Sequence, residues 1–221
     1  MKLSKLAYLC VKNSNYSDDA SFTYDAFIKG LFNNSPDHSL EINNMFQGIN
    51  EAISRLSDLE RIPYEVEPVT HNDNIISLNF EKPVKEVISV AQLYKGSYRR
   101  CQFRNFGIDK IFVNSFIYDG FPLYVEFKVD IPFFDDEDIA YTFDESGNLI
   151  SAVDVDLKDY GITDSMCNYI IEYVSSKLSE PVAAELANMH FTRAEQYFSG
   201  ISPVRSAFSQ QSIEAVDKIG D

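Results

Sequence analysis

The chain has 221 residues, 45% of them hydrophobic and 14% aromatic, and a formal net charge of −15. That length supports one sizeable core or two small ones, and the apolar content excludes a disordered chain. The negative charge argues against adhesion to a DNA backbone or an anionic lipid surface.

The N-terminal stretch MKLSKLAYLCVKNSNYSDD begins like a signal peptide. Its apolar part is short, Cys10 and Lys12 interrupt it, and no small-residue cleavage site follows. An intracellular product is therefore expected. No run of eighteen apolar residues occurs, so no membrane-spanning helix is expected. Cys10, Cys101 and Cys167 lie far apart, without a CxxC pair, which supports neither a disulfide framework nor a zinc site.

Residues 22–32, FTYDAFIKGLF, predict a short helix, broken by Asn33-Asn34-Ser35-Pro36-Asp37. From Leu40, Ile42, Met45, Phe46, Ile49, Ile53 and Leu56 recur at three- and four-residue steps, with Ser39 placed as N-cap. The resulting helix runs to about Glu60, spans roughly 30 Å, and ends before Pro63. Asn43, Asn44, Gln47, Asn50 and Glu51 cover its remaining faces, so one face is buried and the others meet water or partners.

Between Pro63 and Tyr160 the period changes. IISLNF (75–80), VKEVISVAQLY (84–94), YRRCQF (98–103), KIFVNSFIY (110–118) and LYVEFKVDI (123–131) are rich in β-branched and aromatic residues. Gly96, Asn105-Phe106-Gly107 and Asp119-Gly120 punctuate them. The Asp-Gly pair between two strand-like runs predicts a hairpin. A further turn is expected at Glu145-Ser146-Gly147-Asn148.

Helices return with Thr163 as N-cap and an apolar face of Met166, Ile170, Ile171, Val174 and Leu178. Ser179 is placed as cap of the next helix, with Pro181 in its first turn. Ala183, Leu186, Ala187, His190, Phe191, Ala194 and Phe198 line its face, and Gly200 stands where a terminal glycine belongs. The expected fold is α+β. A helical bundle (22–60 and 162–199) carries an inserted, mostly antiparallel β region (64–160) in a single domain over 1–200, followed by a tail over 201–221.

Charge is unevenly placed. Lys95, Arg99, Arg100, Arg104 and Lys110 stand against Asp109 alone, whereas ten carboxylates between Asp130 and Asp159 stand against Lys158 alone. The bland reading is a solvated surface with local pairing. The sharper one is a self-complementary edge, the basic face of one subunit meeting the acidic face of the next. Arginines interleaved with Tyr98, Phe103 and Phe106 also have the composition of a single-strand binder, although a strand exposing charge on both faces explains them as well.

Chemistry is scarce. Asp135-Asp136-Glu137-Asp138 lacks the spacing and loop glycine of a calcium hand and reads as a solvated loop. Asp154 and Asp156 alternate on one face of a possible strand. His38, His71 and His190 fall in a turn, a loop and an apolar helix stripe, where His190 reads as a packing residue. No nucleophile elbow, phosphate loop or dinucleotide fingerprint occurs. Neither enzyme activity nor a cofactor is expected.

The order of elements is more informative. A polar-striped helix ending in RIPYEVEP, a middle β region beginning IISLNFEKPVKEVISVAQLYKGSYRRCQF, and the closing pair GITDSMCNYIIEYVSSKLSEPVAAELANMHFTRAEQYFSG resemble the head–tail connector (adaptor, or tail tubular gatekeeper) proteins of tailed phages. The likeness covers roughly residues 40–200. The region before Leu40 is long for the family, and the acidic segment is large. The resemblance implies a virion neck protein, assembled in the host cytoplasm as a ring, usually dodecameric. It implies contacts with the portal and further tail or ring proteins, and DNA passing through the lumen without specific binding. No membrane role is implied. Arg99, Arg100 and Arg104 are then candidates for a charged seam between subunits. Phe208, flanked by Arg205, is the candidate anchor of a tail that orders on a partner; a tail folded back on its own subunit is the alternative. Two other readings compete, an acidic DNA mimic or inhibitor and a metal-dependent hydrolase using the aspartates.

Overall fold

The computed structural model describes every residue except 16–19, 32–35, 72–73, 108, 182 and 209–221. In chain order the helices and strands are α1 (Leu3–Asn15), α2 (Tyr24–Leu31), α3 (Pro36–Asp58), β1 (Glu65–Val69), β2 (Ile75–Ser77) and β3 (Val84–Tyr94). Then follow β4 (Ser97–Cys101), β5 (Phe103–Asn105), β6 (Lys110–Val113), β7 (Leu123–Val129), β8 (Ile139–Phe143), β9 (Leu149–Asp154), α4 (Asp164–Ser179) and α5 (Ala184–Gly200). The fold is mixed α+β, as expected. The chain divides into two compact units rather than one, Met1–Ile62 with Pro132–Pro203, and Pro63–Ile131 with the described residues from Val204 to Phe208. The β insertion accordingly ends at Ile131, and β8 and β9 belong with the helices.

In the helical unit, α4 packs against α1, α3 and α5. Thr163 caps α4, its hydroxyl accepting the amide of Met166. All five predicted face residues of α4 are buried, as are Met45, Phe46, Ile49, Ile53 and Leu56 on α3. Gly48 brings α3 close to α4, because a Cβ there would stand 3.3 Å from a Val174 methyl.

The leader-like N-terminus is a core helix. Leu3, Leu6, Ala7 and Cys10 on α1 are fully buried, and the start of α1 is held by Val155, whose carbonyl accepts the Leu3 amide at 2.9 Å. Three predicted caps are corrected. The third helix begins at Pro36, so Ser39 lies inside it. Ser179 ends α4 instead of capping α5, and its hydroxyl donates to Ser14 O of α1. Gly200 is the last residue of α5, and Ile201 is its C-cap.

The β unit holds two antiparallel sheets, of order β1-β7-β3-β4 and β2-β6-β5. Lys95 and Gly96 both have positive φ, 49° and 84°, and form the two-residue turn that pairs Tyr94 with Ser97. This geometry suits the right-handed twist of the strands. The Asp119-Gly120 turn is different. It joins β6 to β7, which lie in separate sheets, so the predicted hairpin there does not form. The strand expected over 110–118 stops at Val113. Beyond it, Gln92 Oε1 accepts the Tyr118 amide and Gln92 Nε2 donates to Tyr118 O, both within 3 Å.

Candidate functional site

The β3–β4 hairpin gathers cations and aromatic rings at one end of the β unit. Tyr94 stacks on Tyr118 with centroids 4.2 Å apart, Phe121 meets Tyr94 edge-on, and Phe116 meets Tyr118 edge-on. Arg99 lies over the Tyr118 ring at 5.3 Å and Lys95 over Tyr94 at 5.2 Å. Each such exposed contact contributes about 0.5–1 kcal/mol. Phe116 remains 69% exposed.

Gln92 organises this cluster. It is fully buried, and its amide fixes the Tyr118 and Phe121 backbone. A glutamine flanked by apolar residues in VISVAQLY is the only sequence signal for it, and that signal does not name a partner 26 residues away.

The three seam arginines do not converge. Arg99 and Arg100 are exposed on opposite faces of β4, opposite Gln92 and Ala91 respectively. Arg104 belongs to β5 in the other sheet, over the Phe112 ring at 5.0 Å. They form a ribbon of positive charge with two sides.

The tail folds back within its own unit as far as it is described. Phe208 is buried at 4% exposure and lies 5.0 Å from the Tyr98 ring, so it is not presented as a free partner anchor. Arg205 is exposed. Glu126, only 1% exposed, accepts the Ser89 hydroxyl at 2.6 Å, the Ser206 hydroxyl, and the Ala207 amide at 2.6 Å. A buried carboxylate needs several donors to offset its lost hydration, and the tail provides two of them. The remainder of the tail, 209–221, lies outside the described residues.

In the helical unit the acidic residues serve the backbone. Asp135 accepts the Glu137 amide and Asp138 accepts the Asp135 amide, closing a capping box around a 3-10 turn. Amides of the Ser146–Asn148 turn hold the Asp144 carboxyl below the usual carboxylate range. Asp154 and Asp156 hold different parts of the chain. Asp156 caps a 3-10 turn by accepting the Lys158 amide, which lowers its pKa. Asp154 accepts the Ser4 amide at 3.1 Å, the Ser4 hydroxyl at 2.7 Å and the Tyr141 hydroxyl at 2.6 Å. It thereby caps α1 across 150 residues. Burial first, then this carboxylate, push the Tyr141 phenol up.

His190 is buried, with Nδ1 2.6 Å from Glu172 Oε2 and Nε2 3.2 Å from Asn13 O, so it ties α5 to α4 and α1. His71 lies 3.3 Å from Phe121 O. Cys10, Cys101 and Cys167 are buried free thiols, and burial pushes Cys167 up to about 11. Among the described residues no three His, Cys, Asp or Glu side chains are placed to hold a metal, and no helix is long and apolar enough to cross a membrane.

The largest apolar exposure lies elsewhere. On β9, Leu149, Ile150 and Val153 are each more than half exposed, and Phe133, just before the hairpin, is 80% exposed. Leu59, just after α3, and Met189, Phe191 and Tyr197 of α5 add to it. An open groove of about 590 Å³ runs between Gln47, Asn50, Arg55, Leu59, Phe133 and Tyr173. Compared with known proteins, the chain matches no family model and no curated protein.

Proposed function

We propose that the chain is a structural subunit of a closed ring of the head–tail connector class, placed between portal and tail in a phage virion and traversed by DNA. The single observation that carries this reading is the insertion. The chain leaves a helical unit after α3, builds the strands of a β unit, and returns to finish the helical unit with the α4–α5 pair. That is the element order on which the resemblance rests.

Two physical arguments support it. Residues 63–131 hold eight Lys and Arg against nine Asp and Glu, so almost all of the −15 lies outside them. A passage through which DNA slides should not neutralise phosphates, since each neutralised phosphate adds salt-dependent affinity. Exposed apolar side chains on β9, α5 and the segment after α3 also provide more contact area than an isolated chain requires.

The test is the mass of the assembly. Native mass spectrometry with negative-stain imaging should return a closed ring, formed alone or on the portal, and no sub-micromolar binding to random duplex DNA at physiological salt. A monomer or dimer that instead occupies the DNA groove of an enzyme would establish the acidic mimic.

A further inference from the structure

The β8–β9 hairpin is a two-stranded sheet on its own, and such a pair is marginal in water without a third strand or a packed face. Among its ten paired residues only Ile139 is buried outright. β9 exposes apolar side chains on both faces, Leu149 opposite Phe143 on one and Val153 opposite Ala140 on the other, with Ile150 at the bulge in the register. Its outer edge is also open over Leu149–Val153: among the described residues no strand pairs with β9 except β8, and only at its end does Lys2 Nζ donate to Asp154 O. Val155 N donates inward to Asp138 O, and strand alternation then turns the Ala152 amide outward. An exposed, apolar strand edge is a template for another strand, and natural proteins ordinarily blunt it with Lys or Pro. LISAV carries neither.

The β unit has a matching edge. β4 is the last strand of its sheet and carries Arg99 and Arg100. The hairpin is flanked by Asp144, Glu145 and the Asp135–Asp138 run. The geometry points to a second copy of this chain as the missing partner: the outer edge of β9 takes up the β4 strand of the next subunit, with Arg99 and Arg100 against the hairpin carboxylates. Strand addition of this kind draws affinity from main-chain hydrogen bonds and specificity from alternate side chains. Pairing β9 with its own copy would run antiparallel and bring the acidic turn of each copy, Asp144 and Glu145, towards Asp154 and Asp156 of the other, and like charges across strands repel. It would also make a closed two-fold dimer. A β9-to-β4 contact uses different surfaces on the two copies and so propagates around a ring. The inference rests on the ring reading.

Two singly substituted chains test it, Ser151→Cys on β9 and Ser97→Cys on β4. Both positions are exposed, and the three native thiols are buried, so a short bismaleimide reports only the new sites. The mixed chains should give a covalent heterodimer that neither chain gives alone. Ala152→Pro, which removes one outward amide, should weaken association at least tenfold with an unchanged circular dichroism spectrum. Rings that form without the mixed crosslink, or with full affinity in Ala152→Pro, would overturn the β9–β4 contact and leave the ring standing. Crosslinking of Ser151→Cys to itself would overturn it in favour of the two-fold pairing. A wild-type chain that stays monomeric alone and on the portal would overturn both readings.

Discussion

The two units bury polar groups in opposite ways. In the helical unit, buried and half-buried polar side chains attach to helix backbones. Asp154 caps α1, Ser175 and Ser179 of α4 donate to carbonyls of α1, and His190 ends on Asn13 O. In the β unit, the polar groups sit inside the sheet itself. Gln92 and Glu126 are fully buried on β3 and β7, and loop or tail segments wrap around them to provide donors and acceptors. The helical unit is thus held by aliphatic packing with polar links between its helices. The β unit depends on irregular segments that lie outside its strands. Sensitivity to the loss of such a segment should therefore be greatest in the β unit.

The largest effect should come from removing everything after Pro203. That truncation takes the Ser206 and Ala207 donors from Glu126 and uncovers the Phe208 site on Tyr98. A buried charge stripped of partners costs several kcal/mol, and a buried aromatic adds about 2 kcal/mol. Chemical denaturation should show the β unit losing about 3 kcal/mol or more, with the helical transition unmoved. An unchanged β transition would mean that the tail does not close this unit.

Leu6→Ala tests the helical side of the contrast. The N-terminal stretch has the look of a leader, yet Leu6 is fully buried. Truncating a core leucine costs about 2–5 kcal/mol, and here the loss should fall on the helical transition alone. A stability loss below about 0.5 kcal/mol would mean that α1 is an accessory to that core.

Asp154→Ala should cost less, about 1–2 kcal/mol, the scale of a lost helix cap. Hydrogen exchange should locate the effect in the first turn of α1, and Tyr24→Phe should leave that turn protected. Uniform loss of protection across α4 would point to a wider role for Asp154.

How far the sequence foretold each unit follows from the same contrast. Helices α3, α4 and α5 were legible because an apolar stripe at three- and four-residue spacing is local information. The Lys95-Gly96 turn was legible because a glycine between strand-like runs marks it. The N-terminal helix was not predicted because its apolar run is short and its partner, α4, lies far along the chain. β1 was missed because EVEPV has two glutamates and a proline, and only pairing with β7 makes it a strand. Asp119-Gly120 misled for a related reason, since a turn signal does not say which sheet the next strand joins. For the candidate site, the basic ribbon was legible as composition, but Arg99, Arg100 and Arg104 separate onto two faces and two sheets. Phe208 was recognised as an anchor, but its docking site is Tyr98 of the same chain.

The smallest expected effect is the pH response of one interhelical ion pair. Lys177 of α4 donates to Glu51 of α3, and this hydrogen bond, with a second from Gln47, holds the Glu51 carboxyl below the usual range. A folded-state pKa that is depressed gives stability that is fully present above the unfolded carboxylate pKa, about 4.3. That stability is lost as pH falls through the lower folded value. The two side chains are 38% and 41% exposed, so water screens the pair and its contribution stays within about 0–1 kcal/mol. Glu51→Gln should therefore lower the stability of the helical unit by a few tenths of a kcal/mol at pH 7. The difference from wild type should shrink towards zero as the solution is acidified below pH 4. A gap of constant size between pH 7 and pH 3 would show that Glu51 acts by packing on α3 rather than by its charge.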